Sequence, residues 1–97
     1  MRMMTLDDFT GLVNQTFAAS LQDGEMPFVL VEARSLAAGA PQDALRVPFS
    51  LLFRSTASFP LPQQIYRMRH PSLGEVDIFL VPVAREREGF LYQASFN

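Results

Sequence analysis

The residues best suited to chemistry lie close together in the second half of the chain. His70 is the single histidine, and Ser72, Glu75 and Asp77 follow it. A histidine held by a carboxylate can act as a general base, and a serine hydroxyl is a nucleophile that such a base activates. This pattern gives one hypothesis for function, a small ligand-binding or hydrolytic barrel with His70 and Glu75 at its mouth.

A turn explains the same residues without catalysis. In the stretch HPSLGE, Pro71 sets the backbone φ of the first central position in a type I turn, and Gly74 can take the left-handed conformation that leads into the next strand. His70 then ends one strand and Glu75 begins the next, with a surface ion pair between them that contributes about 0 to 1 kcal/mol. A serine in the same tight turn as its base has difficulty facing it, and the sequence has no glycine-flanked serine of the nucleophile-elbow type. We therefore predict no catalytic residues, and keep catalysis by His70, Glu75 and Asp77 as the alternative.

The composition argues against several other kinds of site. The chain has 97 residues, no cysteine and a formal charge of −2, and all eight basic residues are arginines. Thiol chemistry is excluded, a zinc site would need carboxylates for most of its ligands, and we predict no cofactor and no metal. The charge gives no general attraction to nucleic acid. Apolar runs are too short for a signal peptide or a membrane span, so we expect a cytoplasmic protein without membrane contact.

The spacing of apolar residues predicts one domain, residues 1–97, that is mostly β. Thr5 precedes apolar residues at helical spacing, which predicts a helix over 6–14. The apolar period then becomes two, which predicts strands over about 16–21, 27–35, 46–54, 65–70, 76–83 and 90–96. Parallel pairing needs crossover connections that the chain lacks. We therefore predict a small antiparallel barrel or sandwich of about six strands with one short N-terminal helix.

Several predicted strands carry apolar side chains on both faces. We assign Val47, Phe49, Leu51 and Phe53 to the core, and place Val29, Val31 and Ala33 on the face opposite Phe28 and Leu30. One short helix cannot cover both faces of a small sheet, so the outer apolar residues predict a protein interface, and an exposed edge strand would be a second place for contact. The predicted interface residues are Leu52, Ile65, Phe79, Val81 and Leu91.

Three arginines raise the alternative of nucleic-acid binding. Arg54, Arg67 and Arg69 would form a basic strip if their strands were neighbours. The aromatic residues between them point inward in the assignment above, which leaves no surface on which bases could stack. We therefore favour pairing of these arginines with surface carboxylates, and nucleic acid is not the expected partner.

The ordered segments FSLLFRS, LPQQIYRMRHPSLGEVDIFLVPV and FLYQASFN resemble a family of short, uncharacterised bacterial domains. The shared pattern is FSLLF, LPQxxY, HPxLG, FLVPV and YxAxF, and it covers the second half of the chain, with the N-terminal helix matched loosely. Gln64 stands where the family usually has glycine. The resemblance implies an association with proteins similar to phage-tail collar proteins, and it implies no activity.

The preferred hypothesis is a non-enzymatic structural or adaptor domain that acts through protein contacts. Its partner would be a second copy of the chain or a larger protein of a tail-like or secreted assembly. The motivation is the surplus of apolar side chains on the outer faces of the predicted strands.

Overall fold

Six strands and one helical turn make up the protein in the computed structural model, which describes residues 3–38 and 46–97. The elements are α1 (Asp7–Thr10), β1 (Thr16–Leu21), β2 (Gly24–Ser35), β3 (Phe49–Ser55), β4 (Gln64–His70), β5 (Gly74–Glu86) and β6 (Gly89–Phe96). The strands are antiparallel in the order β1-β2-β3-β6-β5-β4, and β4 pairs with β1 to close a barrel. The predicted mostly-β fold with one short N-terminal helix is confirmed. Of the two predicted architectures, a barrel or a sandwich, the structure is a barrel.

The interior of the barrel is filled by side chains, as expected for so few strands. Inward and outward residues alternate along each strand, as the apolar period of two predicts. The buried apolar residues of the strands are Phe17, Ala19, Phe28, Leu30, Phe49, Leu51, Phe53, Tyr66, Met68, Ile78, Leu80, Tyr92 and Ala94. Burying one large apolar side chain contributes about 1.5–3 kcal/mol, so this interior is the main source of stability.

The connection between β3 and β4 crosses one end of the barrel. These two strands lie on opposite sides of the ring, because β2 and β1 separate them on one side and β6 and β5 on the other. Residues 56–63 must therefore span that end. Leu61 is buried there, and its N–H donates to the Tyr92 hydroxyl at 2.8 Å. The Tyr66 hydroxyl donates to the carbonyl of Pro62 at 2.5 Å, which fixes the loop as it enters β4.

The helical turn α1 closes the other end. Phe9 is fully buried, and its ring centroid lies 5.9 Å from the rings of both Phe49 and Phe96 and 6.4 Å from that of Phe17. Phe49 begins β3 and Phe96 ends β6, so all of these rings meet at the end opposite the crossing loop. The N-terminal segment therefore acts as a plug for the barrel.

The helix is shorter than the predicted 6–14. Asp8 accepts a hydrogen bond from the Thr5 N–H at 2.8 Å, which supports the first turn, but regular helix ends at Thr10. Asn14 has a φ of 74°, outside the helical range, and its N–H donates to the carbonyl of Leu30 on β2. The chain leaves the helical path because it must turn into β1 beside β2.

Arg46 joins the two ends of the described chain. Its guanidinium donates to the carbonyls of Met4 at 2.7 Å and Asn97 at 3.1 Å. The same group lies 5.5 Å from the ring centroid of Phe96, which stacks on Phe49 at 4.5 Å. These contacts hold the plug segment against the last strand.

Two face assignments are wrong. In β2, Leu30 lies opposite Phe53 and Glu32 lies opposite Leu52, so Val31 is an extra residue in a β-bulge. The bulge shifts the alternation, and Ala33 packs against the core instead of facing outward. Val47 was assigned to the core, but it precedes β3 and is more than half exposed.

The two strands that would be the edges of an open sheet pair with each other. Ala18 lies opposite Arg69 and Ala19 opposite Met68, which closes the ring between β1 and β4. This seam is the shortest in the barrel. Two residue pairs join β1 to β4, whereas seven join β3 to β6. The exposed edge strand considered from the sequence is replaced by this closure.

Candidate functional site

His70 points into the barrel wall and not towards solvent. Only 4% of the residue is exposed, and its ring centroid lies 4.8 Å from that of Phe17. Nδ1 accepts a hydrogen bond from the Ser72 N–H at 3.0 Å, which assigns the ring proton to Nε2. Nε2 then donates to the Gln15 side-chain oxygen at 2.7 Å. The ring therefore joins the β4–β5 turn to the segment that leads into β1.

The turn itself has the geometry that HPSLGE predicts. Gly74 has a φ of 72°, in the left-handed region, and the Leu73 N–H donates to the carbonyl of His70 at 3.1 Å. His70 lies opposite Gly74, so the residue opposite Glu75 is Arg69. The predicted ion pair between His70 and Glu75 is replaced by the contacts of His70 with Gln15 and Ser72.

The carboxylates of the alternative catalytic set lie on the outer wall. β5 turns Ile78 inward, while Glu75 and Asp77 are exposed on the outer face. Asp77 accepts a hydrogen bond from Arg67 Nε at 3.2 Å. The structure therefore places His70 on the inner side of the wall and its two candidate partners on the outer side. Among the residues described, no three or more His, Asp or Glu side chains are arranged to hold a metal ion.

The three arginines of the predicted strip are each paired with a carboxylate. Arg54 lies 2.7 Å from Glu86, and Arg67 lies 3.2 Å from Asp77. Arg69 reaches across β1 and makes two hydrogen-bond contacts with Glu25 on β2, at 2.6 and 2.9 Å. This fork is the bidentate geometry that arginine favours with carboxylates. Pairing with surface carboxylates is the interpretation that the sequence favours, and all three arginines are paired in this way.

These pairs raise the pKa of two of the arginines. Hydrogen bonding to Glu86 and its negative charge raise the pKa of Arg54. Hydrogen bonding to Asp77 and its charge do the same for Arg67, and Glu75 adds to the field there. Both guanidinium groups therefore stay charged across the pH range in which carboxylates are ionised.

Apolar side chains form a band across the outer faces of four strands. We call Leu52, Ile65, Phe79, Val81 and Leu91 the outer apolar band. Ile65 on β4 and Phe79 on β5 lie opposite each other and are 65% and 49% exposed. Val81, Leu91 and Leu52 continue the band onto β6 and β3 and are partly buried. All five predicted interface residues face outward, and their role in binding stays a prediction.

Two surface features were not found from the sequence. Val83, which alternation places on the same face as Phe79 and Val81, is about half exposed, but the β-bulge between Pro82 and Ala84 that contains it leaves no local signal. A pocket of about 430 Å³ lies between residues 56–58 and the hairpin 85–90. Its walls come together because the end of β3 and the β5–β6 hairpin share one end of the barrel.

The geometry defines the class of protein as a small, closed, six-stranded antiparallel barrel with a filled interior. Over residues 4–96 the chain matches the family described as "Domain of unknown function (DUF6916)", and it belongs to that family. No curated protein and no solved structure matches the chain. The resemblance to a family of uncharacterised domains is thus confirmed, while bacterial origin and an association with tail proteins stay predictions. Within residues 3–38 and 46–97, no helix has the length and apolar character needed to cross a membrane.

Proposed function

We propose that this chain is a structural or adaptor domain that binds another protein through the outer face of β4 and β5. The observation that carries the proposal is the pair Ile65 and Phe79. These two large apolar side chains are neighbours across the strands and are 65% and 49% exposed on the wall of a barrel whose interior is filled. Neither side chain packs in the barrel interior. Neighbouring exposed apolar side chains of this kind often mark a surface that binds another protein.

The composition of this face fits a protein interface. Aromatic residues such as Phe are enriched in the cores of protein interfaces, and a polar rim usually surrounds them. Arg67 and Asp77 provide such a rim next to Ile65 and Phe79. Burying each exposed apolar side chain completely would contribute about 1.5–3 kcal/mol to binding, before the entropic cost of association.

We further propose a partner in a tail-like or secreted assembly, or a second copy of the chain, and a cytoplasmic location. The support for the tail-like partner is the sequence resemblance described above. Nucleic acid is not the proposed partner, because Arg54, Arg67 and Arg69 are already paired with carboxylates. The alternative of a ligand-binding or hydrolytic barrel has less support, since both ring nitrogens of His70 are engaged within the chain.

A photo-crosslinking experiment tests this proposal. Phe79 is replaced by p-benzoylphenylalanine, and the protein is irradiated in the cells that produce it. Phe59, a phenylalanine of similar exposure on the crossing loop (56% against 49%), is replaced in a control. We expect a discrete covalent adduct from position 79 that mass spectrometry identifies and that Ile65→Asp removes. Absence of an adduct at position 79, or the same adducts at both positions, would contradict the proposal.

A further inference from the structure

We infer that the partner of this face is a second copy of the chain, which packs face to face on β4 and β5 about a two-fold axis. The inference rests on the proposed function and names its partner. It follows from how charged and apolar side chains are distributed over the two strands.

The outer side chains of β4 and β5 form three matched rungs. From the crossing-loop end towards the turn, the outward pairs are Ile65 with Phe79, Arg67 with Asp77, and Arg69 with Glu75. All six residues of these rungs are exposed. One strand therefore presents an apolar residue followed by two positive charges, and its neighbour presents an apolar residue followed by two negative charges.

This distribution is complementary to itself. A two-fold axis parallel to the strands, lying between β4 and β5, places β4 of one copy over β5 of the other at the same rung. Ile65 then meets Phe79 of the second copy, and Arg67 meets Asp77 of the second copy. Interfaces between identical subunits with two-fold symmetry require such a patch, in which residue i contacts residue j and j contacts i. Sheets that pack face to face keep their strands within about 30° of each other, which preserves the match of the rungs.

The pairs within one copy leave room for contacts between copies. The side chains of Arg67 and Asp77 are 59% and 56% exposed although they are paired. In the two-fold arrangement each of these charges gains a second opposite charge, and four charges form one network. Networks contribute more than isolated surface pairs. The apolar rung of Ile65 and Phe79 supplies the surface that is buried from water, and the charged rungs fix how the two copies align.

The size of the face predicts the strength of association. Six exposed side chains per copy are far fewer than the roughly 20–30 residues a side of a standard interface. We therefore expect a weak dimer that weakens further as salt screens the charged rungs.

Charge reversal tests the inference directly by analytical ultracentrifugation over a concentration series. Arg67→Asp makes the middle rung wholly acidic, and Asp77→Arg makes it wholly basic. Each variant alone should self-associate at least about tenfold more weakly than the wild type, because like charges face each other. An equimolar mixture of the two should form a one-to-one dimer, because an acidic rung then faces a basic one. The double variant Arg67→Asp/Asp77→Arg should recover self-association.

The matched control is Arg34→Asp. Arg34 lies 3.9 Å from Glu32 on β2, and this pair is about as exposed as the pair of Arg67 with Asp77. The control should dimerise like the wild type. Far-ultraviolet circular dichroism verifies that every variant is folded, which substitution at these exposed outer-wall positions favours.

The outcomes separate this inference from the proposed function. A wild type that stays monomeric at millimolar concentration, or a mixture of the two variants that stays monomeric, overturns the inference. If position 79 nevertheless crosslinks to a different protein, the proposed function stands without it. If no self-association and no adduct are found, both are overturned. An adduct of twice the chain mass together with the mixed dimer supports both.

Discussion

His70 is held at both ring nitrogens, by Ser72 in its own turn and by Gln15 from the segment before β1. Its ring also packs beside Phe17. A general base needs a free nitrogen directed at a substrate, and these contacts direct the ring at the chain itself. These contacts connect two parts of the chain that are far apart in sequence.

Replacing His70 should thus lower stability. His70→Ala removes two hydrogen bonds and a buried ring, and we expect a loss of about 2–4 kcal/mol in the free energy of unfolding. Gln15→Ala removes one of those hydrogen bonds and should cost about 0.5–1.5 kcal/mol. Urea unfolding measures both values. A loss below about 0.5 kcal/mol for His70→Ala, within the range of ordinary surface changes, would show that these contacts are unimportant.

The turn could be predicted from the sequence because proline and glycine act on their own backbone. The hydrogen-bond partner of the His70 ring could not be predicted, since Gln15 lies 55 positions away and no local pattern links it to His70. For the same reason the pairing of Arg69 with Glu25 was not predicted, although pairing with some carboxylate was. Side-chain contacts across the barrel depend on strand order, which local patterns do not contain.

We expect Tyr66 to make the stability of the protein sensitive to alkaline pH. Burial raises the pKa of its hydroxyl, and Tyr92 raises it further. The unfolded chain therefore ionises this phenol first, at about pH 10. The stability that comes from the neutral phenol is fully present below that pH and is lost as pH rises through the raised folded value.

Tyr66→Phe should remove this sensitivity. At neutral pH the variant should be about 0.5–1.5 kcal/mol less stable, because the hydrogen bond to the Pro62 carbonyl is lost. The difference from the wild type should shrink above pH 10, as measured by urea unfolding at pH 7, 10 and 11. A difference that stays constant over this series would show that the hydroxyl does not ionise more readily in the unfolded chain.

The strands and hairpins follow from local patterns, whereas their irregularities follow from partner strands. Alternating apolar residues and turn-forming glycines indicate where β4, β5 and β6 lie. The bulge at Val31 exists because β2 must match the register of β3, and so the outward assignment of Ala33 was wrong. The stripe Leu6, Phe9, Leu12 fits a helix, but the turn at Asn14 is dictated by its hydrogen bond to Leu30. Both of these errors arise where a long-range contact outweighs a local preference.

Gly89, at the start of β6, has no room for a side chain. Its φ is 146°, and a Cβ built there would overlap the carbonyl group of Ser55 at the end of β3. Gly24 begins β2 with a nearly identical φ of 145° and open space around it. The two glycines therefore have the same backbone strain on substitution and differ in the clash.

This difference gives a controlled prediction for the two hairpins. Gly24→Ala should cost about 1–3 kcal/mol in the free energy of unfolding, from backbone strain alone. Gly89→Ala should cost at least about 2 kcal/mol more, because β3 and β6 must separate to admit the methyl group. Thermal and urea unfolding of both variants measure the gap. Equal losses of stability would mean that the close approach of the Ser55 carbonyl to Gly89 adds nothing to the cost of the substitution.

At the scale of the whole molecule, the plug at the α1 end should be essential for folding. Phe9 fills the space between Phe17, Phe49 and Phe96. Phe9→Ala should cost about 3–5 kcal/mol, the range for removing a buried phenylalanine. Phe59→Ala, at an exposed phenylalanine of the crossing loop, should change stability by less than about 0.5 kcal/mol. Differential scanning calorimetry compares the two, and similar melting temperatures would argue against a plug.

The crossing of residues 56–63 has a consequence for how the molecule can be divided. Before the crossing, β1, β2 and β3 are successive neighbours, and after it β4, β5 and β6 are successive neighbours too. Each half of the chain is thus a complete three-stranded meander, and a single span of backbone tethers one to the other. Two molecules could trade halves without altering any strand's neighbours, and a nick in that span would leave two fragments that retain every surface needed to recombine.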